Sequence, residues 1–382
     1  MSVESRFGTS TPYSLGVEEE FQLVHAGSLQ LVSDVGPLLE RFVGAPVSSR
    51  IKPELLQSCV EVSTRICASV EEVVGDLADL RERVSSAAAE QDALIVAAGT
   101  HPFSRCEHQR VTERPRYAWL LERYGWRMAR QLVFGLHIHV GVSSAEKAVA
   151  CANGLRDHLP ELLALSANSP FWEGAATGMS STRATIAAEL PLSGLPPVLP
   201  SFSEYELMVA NGVRAGCFSD YTEIWWDVRL HPRYGTVEVR ICDAQAQIEN
   251  VAALTALVRS LAATIGSEFD CGESPALTPD LHLEENRWRA ARDGLAAQLI
   301  DPGSDNETPA ADSVRALVER CMPAAEALGC ADELELVENI LDRGNGADEQ
   351  LRIYDDTHDL SAVTRWLADK TTSHQLSATH QD

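Results

Sequence analysis

No Cys-x-x-Cys pair occurs in this sequence of 382 residues, and its nine cysteines (59, 67, 106, 151, 217, 242, 271, 321 and 330) are odd in number and irregular in spacing. Neither a disulfide framework nor a zinc finger follows from that pattern. Basic residues are scarce: 31 Lys plus Arg stand against 56 Asp plus Glu, a formal charge of −25. A chain this acidic repels phosphate backbones and anionic lipid, which argues against nucleic-acid and membrane partners. It does not exclude ATP, because bound divalent cations invert a local field. No segment approaches the roughly 20 apolar residues of a membrane helix. The polar start Met1-Ser2-Val3-Glu4-Ser5-Arg6 lacks the apolar stretch of a signal peptide. A soluble, cytoplasmic protein is expected. Aromatics make up only 6% of the chain, so the core must rest on Ala, Val and Leu. The P-loop, G-x-G-x-x-G, His-Glu-x-x-His and Gly-x-Ser-x-Gly signatures are all missing.

What is there begins with alternation. Over residues 15–24, Val17, Glu19 and Phe21 share one side and Glu18, Glu20 and Gln22 the other, which predicts a strand with an acidic interruption on its apolar face. Residues 28–32 are expected as its hairpin partner, and a short helix over 34–43. Ser69 and Glu72 form a capping box ahead of Val70, Val73, Val74, Leu77, Leu80 and Val84, predicting a helix over 69–91. Ala93 to Ala98 reads as a buried strand and 115–124 as a helix. From Arg127 to Val142 the period is two, with His137 and His139 on one face, and a helix capped by Ser143 and Glu146 follows. Residues 168–202 read as a long irregular stretch holding Arg183, and loops of that length inside a compact domain are usually functional. Trp225–Leu230 and Thr236–Cys242 predict a hairpin with Glu238 and Arg240 opposite the core. Beyond 246 the chain reads as helical apart from an acidic Gly/Pro-rich break at 301–312. The expected class is α+β, a mainly antiparallel sheet with helices packed on one face. Residues 1–370 are expected as a single domain, with 371–382 as a polar tail.

The chemistry-bearing residues are carboxylates on strands. Glu18 and Glu20 project from one face about 7 Å apart, too far for one ion and suitable for two adjacent ions sharing a phosphate. A solvated sheet face is the commoner use of such a pair, and an ion pair the commoner use of Glu238 with Arg240. Glu54 and Glu61 lie seven apart, so they share a face only if a turn or bulge separates them. Oxygen donors with one or two imidazoles favour magnesium or manganese over zinc. Such ions with Arg183 and Arg240 nearby would suit phosphoryl transfer.

Several motifs in one order resemble the bacterial carboxylate–amine ligases of the type-2 glutamate–cysteine ligase family. They are Leu15-Gly16-Val17-Glu18-Glu19-Glu20-Phe21, Lys52-Pro53-Glu54-Leu55-Leu56-Gln57-Ser58, the run Phe134 to Val142, Ser166-Ala167-Asn168-Ser169-Pro170-Phe171-Trp172, Gly235-Thr236-Val237-Glu238-Val239-Arg240, and the run Asn286 to Arg292. The resemblance covers about residues 13–365. It implies a catalytic domain like that of glutamine synthetase and the guanidino kinases, and ATP-dependent amide formation through an acyl phosphate. It also implies Glu18, Glu20, Glu54, Glu61, His137 and Glu238 as ligands of Mg2+ or Mn2+, and Arg183 and Arg240 as phosphate contacts. Small carboxylate and amine substrates, glutamate and cysteine among them, and a homodimer are further expectations. A metal-dependent hydrolase, a phosphagen-type kinase and a non-catalytic binding relative are the competing readings.

Overall fold

The computed structural model describes residues 4–273, 277–301, 303–304 and 306–373. Seven strands form its main sheet: β1 (Leu15–His25), β2 (Ile51–Pro53), β3 (Cys59–Ser63), β4 (Ala93–Val96), β5 (Leu136–Gly141), β6 (Val228–His231) and β7 (Thr236–Val239). Their order is β6-β7-β5-β1-β3-β2, with β4 on the C-terminal half of β1, and every pair is antiparallel. Helices α1 (Val70–Ala89), α2 (Ala145–Asp157) and α4 (Ile248–Asp270) pack on one face of this sheet. The short α3 (Thr182–Ala187) lies elsewhere in the chain order and carries Arg183.

The helix-covered face is the apolar side of the alternation. Val17 and Phe21 of β1, Ile138 and Val140 of β5, and Val237 and Val239 of β7 are all buried there against Val73, Leu77 and Leu80 of α1 and Leu254 of α4. Each such side chain contributes roughly 1.5–3 kcal/mol by leaving water, and period-two patterning alone decides which ones do. Glu19, on that same face, is fully buried and neutralised from beneath. Arg81 of α1 donates Nη2 to its Oε1 at 2.5 Å and Nε to its Oε2 at 3.0 Å. The same guanidinium reaches the carbonyls of Gln245, Ala246 and Thr371.

Helix α4 is long and apolar enough to cross a membrane, but 89% of that stretch is buried inside the protein, so it is a core helix. This differs from the expectation that no segment has such length and character.

Several local expectations are corrected. Residues 28–32 form no strand beyond one bridge between Val24 and Leu31. Leu29 sits at φ 57°, and the N–H groups of Gly27 and Ser28 donate to His25 Nδ1, so the chain turns tightly there. The strand expected from 127 begins only at Leu136, because Trp126–Ala129 is helical after Gly125 at φ 54°. Ser144, not Ser143, caps α2, and the Glu146 carboxylate instead accepts from the Phe202 N–H. The acidic break near 301–312 is bracketed by a small hairpin, Gln298–Ile300 with Glu307–Pro309, and the helix Ala310–Leu328 starts within it. The expected tail begins too early, since Thr371 and Thr372 end a helix (Leu360–Thr372). Thr371 is buried, and its hydroxyl accepts from the Ala97 N–H. Residues 374–382 lie outside the described residues.

Buried His101 links two loops. Its Nδ1 accepts from the N–H groups of Phe103 and Ser104, and its Nε2 meets the Leu29 carbonyl at 2.9 Å. Burial drops its pKa to about 3. Between pH 6.5 and that value the unfolded chain binds a proton the folded one refuses, so acid destabilises the fold. The expected loss is about 1.4 kcal/mol per pH unit from this group. Melting temperatures recorded from pH 7 to pH 4 should therefore fall more steeply in the wild type than in His101→Gln. Equal slopes would refute this origin.

Candidate active site

The sheet face opposite the helices opens into a cleft of about 450 Å³, and all eight residues singled out in the sequence line it. Register explains the convergence. Glu18 lies opposite His137 and Glu20 opposite Glu61, while His139 lies opposite Glu238. Same-face positions on neighbouring strands bring their side chains within about 5 Å. The odd spacing of Glu54 and Glu61 resolves as a hairpin: β2 and β3 are antiparallel with Lys52 opposite Glu61, and Glu54 follows β2 directly. Chain reversal, not a continuous strand, puts both carboxylates in the cleft.

Three strands supply a tight triad. Among the described residues, ligand atoms of Glu18, His139 and Glu238 all lie within 4.8 Å of one another. His139 Nε2 stands 3.9 Å from Glu18 Oε2 and 3.9 Å from Glu238 Oε1, is buried, and has no hydrogen-bond partner. Its Nδ1 is held 3.0 Å from the Thr236 hydroxyl. If Nδ1 carries the proton, Nε2 presents a lone pair between two carboxylates. His137 Nδ1 lies 3.4 Å from Glu18 Oε2.

The electrostatics divide the acids into two groups. Burial would raise the Glu18 carboxyl, but the His137 hydrogen bond and the nearby imidazoles of His137 and His139 hold it well below the usual range. Burial likewise opposes ionisation of Glu238, yet Arg229, Arg240 and His139 keep it well below normal. Arg229 Nε donates to Glu238 Oε2 at 2.6 Å, and Arg240 Nη1 to its Oε1. Glu61 moves the other way: burial, then the charges of Glu18 and Glu54, push it well above normal despite Lys52 at 3.4 Å. Glu54 is raised by burial and by Glu20. His139 is raised, Glu238 and Glu18 outweighing burial, whereas burial and Arg240 lower His137. Crowded carboxylates lacking enough cations are what a site for divalent ions looks like to a proton. The donor set fits hard cations. Cys59, the thiol on the cleft wall, is pushed well above normal by burial and its acidic neighbours and offers no thiolate.

Arg183 is placed differently from expectation. It belongs to α3 and is buried, with Nη1 on the Ile241 carbonyl and Nη2 on the Arg240 carbonyl, both at 3.0 Å. Asp243, which accepts from Ser169, Ser181 and the Asn168 N–H, lies 3.8 Å away. Its guanidinium thus secures the backbone that presents Arg240. The sequence sets His139 on the face of His137 without giving it a role, and leaves out Lys52 and Arg229. The signals were available: His-x-His places both rings on one face, Lys52 precedes Glu54 by one strand repeat, and the hairpin around His231–Gly235 sets Arg229 against Glu238.

A second cavity of about 450 Å³ adjoins the first, sharing Glu18, Lys52, His139 and Tyr234 with it. Arg6, Arg65 and Arg233 stand on its walls.

Residues 14–366 match the family model Glutamate-cysteine ligase family 2 (GCS2). The chain belongs to that family. A relative from Rubrobacter xylanophilus, provisionally named glutamate–cysteine ligase 2-3, is 43% identical over 369 residues, spanning 97% of this chain and 100% of its own. One from Sorangium cellulosum, provisionally named glutamate–cysteine ligase 2, is 40% identical over 92% of this chain and 94% of its own. Among solved structures, the Francisella tularensis glutamate–cysteine ligase in complex with AMP superposes with TM-score 0.70 over 97% of this chain and 91% of that one. A bifunctional glutathione synthetase from Pasteurella multocida gives 0.68 over 94% of this chain and 52% of that one. At 14% and 16% identity these two establish the shared fold. The family match includes every cleft residue described above except Arg6, which precedes it.

The orphaned Nε2 makes a specific prediction. His139→Asn should weaken Mn2+ binding by about tenfold or more, on the scale of lost support at metal centres. Calorimetric titration of the purified variant reads this directly. An unchanged affinity would remove His139 from the ligand set.

Proposed function

We propose that this cleft joins a carboxylate to an amine at the expense of ATP, through an acyl phosphate, with glutamate and cysteine as the pair expected of the family. Family membership makes the chain an ATP-dependent carbon–nitrogen ligase; the proposal concerns substrates, metals and residue roles. The observation that carries it is the convergence of five carboxylates and an unpartnered imidazole nitrogen on one sheet face beside Arg240.

Glu18, Glu20, Glu54, Glu61 and Glu238, with the His137–His139 pair, would hold divalent cations, magnesium or manganese. Bound there, such ions neutralise triphosphate charge and the charge that develops as the phosphoryl group transfers. The triphosphate is assigned to the cavity walled by Arg6, Arg65 and Arg233, next to the triad. Arg240 uses Nη1 on Glu238, and its remaining guanidinium donors are free to grip the transferred group. Arg183 and Arg229 act on protein groups, fixing the Arg240 backbone and the Glu238 carboxylate. A substrate carboxylate oxygen attacks the γ-phosphorus and ADP leaves. The amine then attacks the acyl carbon, the carbon–oxygen bond to phosphate breaks, and inorganic phosphate departs. No protein nucleophile is required. An ATP-consumption screen over amino acids and amines, with mass detection of products, tests the reading. An amide formed only with ATP supports it; amide-independent ATP loss or ATP-independent hydrolysis contradicts it.

A further inference from the structure

The cleft has a lobe that its polar chemistry does not use. Tyr117, Leu120, Met128 and Leu190 form a small apolar cluster separate from the main core, with Leu55 and Trp225 packed against it, and all six line the cleft. Tyr117, Leu120 and Met128 come from two short helices, Pro115–Tyr124 and Trp126–Ala129, outside the helical layer that covers the sheet. Leu55 directly follows Glu54, so the apolar wall begins one residue from the carboxylates. Exposed Arg114 and Arg116 also line the cleft at the start of that arm, and neither belongs to an ion pair among the described residues.

We infer that one of the two organic substrates carries an aliphatic or aromatic side chain that lies in this lobe. The inference rests on the ligase reading and narrows its substrate class. The adjoining cavity offers a triphosphate Arg6, Arg65 and Arg233, whereas the aliphatic wall of the lobe itself offers it nothing. Tyr117, Leu120, Met128 and Leu190 are already buried against one another, so the apolar area left to cover is chiefly that of half-buried Leu55 and Trp225, and a small polar substrate would leave it wetted. Arg114 and Arg116 suit a free carboxylate on the same molecule. Either the acid or the amine could be the bearer of the side chain, and the chemistry of the lobe is the same for both.

The test uses the full chain with Mg2+-ATP and two arms, each following ADP release and amide product. In the first, glutamate is fixed and cysteine, leucine and phenylalanine compete as amines. In the second, cysteine is fixed and glutamate is compared with leucine, phenylalanine and 3-phenylpropanoate as acids. In one arm the apolar members should exceed the small polar one at least tenfold in kcat/KM. In that arm Leu190→Asn should raise the KM of the apolar substrate at least tenfold and shift the KM of ATP less than twofold. Leu120→Met, which conserves volume, should keep the preference and report that the arm still folds. Cysteine and glutamate outperforming every apolar counterpart would overturn the inference and leave the ligase reading intact. So would a rise in the KM of ATP in Leu190→Asn, which would make the lobe the nucleobase site. No amide from any pair would remove the ligase reading and this inference together.

Discussion

Glu18→Gln is expected to lower ATP turnover by about 10³-fold or more, equivalent to about 4 kcal/mol of transition-state stabilisation. Glu18 meets His137 at 3.4 Å and His139 at 3.9 Å, and its register places it between β3 and β5 at the centre of the cluster. The amide keeps the shape and one acceptor oxygen but removes the charge that would hold a cation. Stability should fall as well. The charge of Glu18 helps to raise Glu61 and Glu54, but His137 and His139 hold the folded Glu18 carboxyl well below the usual range, so on balance its charge stabilises the fold above the unfolded pKa. The melting temperature at pH 7 is therefore expected to drop somewhat, while activity at a temperature where the variant is still folded disappears. Glu238→Gln should also lose activity, and it leaves both Arg229 and Arg240 facing a neutral partner, at a larger cost in stability. ADP release at the wild-type rate by Glu18→Gln, at saturating Mg2+, would refute its role.

Glu19→Ala is expected to have the largest effect on stability, about 3–5 kcal/mol, because it strands a fully buried guanidinium. Arg81 would keep its contacts to Gln245, Ala246 and Thr371 but lose both oxygens of the one carboxylate that balances its charge. Replacing both residues, Glu19→Met with Arg81→Met, should recover part of the loss. Recovery stays incomplete because those carbonyls would lose a donor, at about 1–3 kcal/mol for each left unsatisfied. Urea unfolding of the single and double variants separates the two terms. A single variant within about 1 kcal/mol of wild type would show that the pair is not what fixes β1 on α1.

The carboxylate-bearing face was legible in the sequence because strand periodicity is a local property. Glu18, Glu20 and Glu238 could be assigned to a polar face from their apolar neighbours alone. Whether those faces met could not be read that way, since the order β7-β5-β1-β3 is set by long-range pairing. Glu54 and Glu61 show the limit well: their spacing is uninterpretable until the hairpin between them is known. Glu19 is the converse case. It looked like a flaw in the alternation, and its partner Arg81 lies 62 residues away on α1. Arg183 was misjudged because a Gly/Ser-rich neighbourhood reads as loop, whereas the Ser181 side chain caps a short buried helix. The run from 127 to 135 failed for the opposite reason. Its apolar residues are buried as the period demands, but the Phe134 N–H goes to the Gly99 carbonyl, outside the sheet ladder.

The acyl phosphate is the central claim, and oxygen tracing tests it most directly. With an acid substrate labelled with 18O in its reacting carboxylate, the amide can retain only one of the two labelled oxygens. The account predicts that the other emerges in inorganic phosphate, one atom per amide formed, with ADP unlabelled. Label appearing in AMP, or phosphate free of label while amide accumulates, would contradict it.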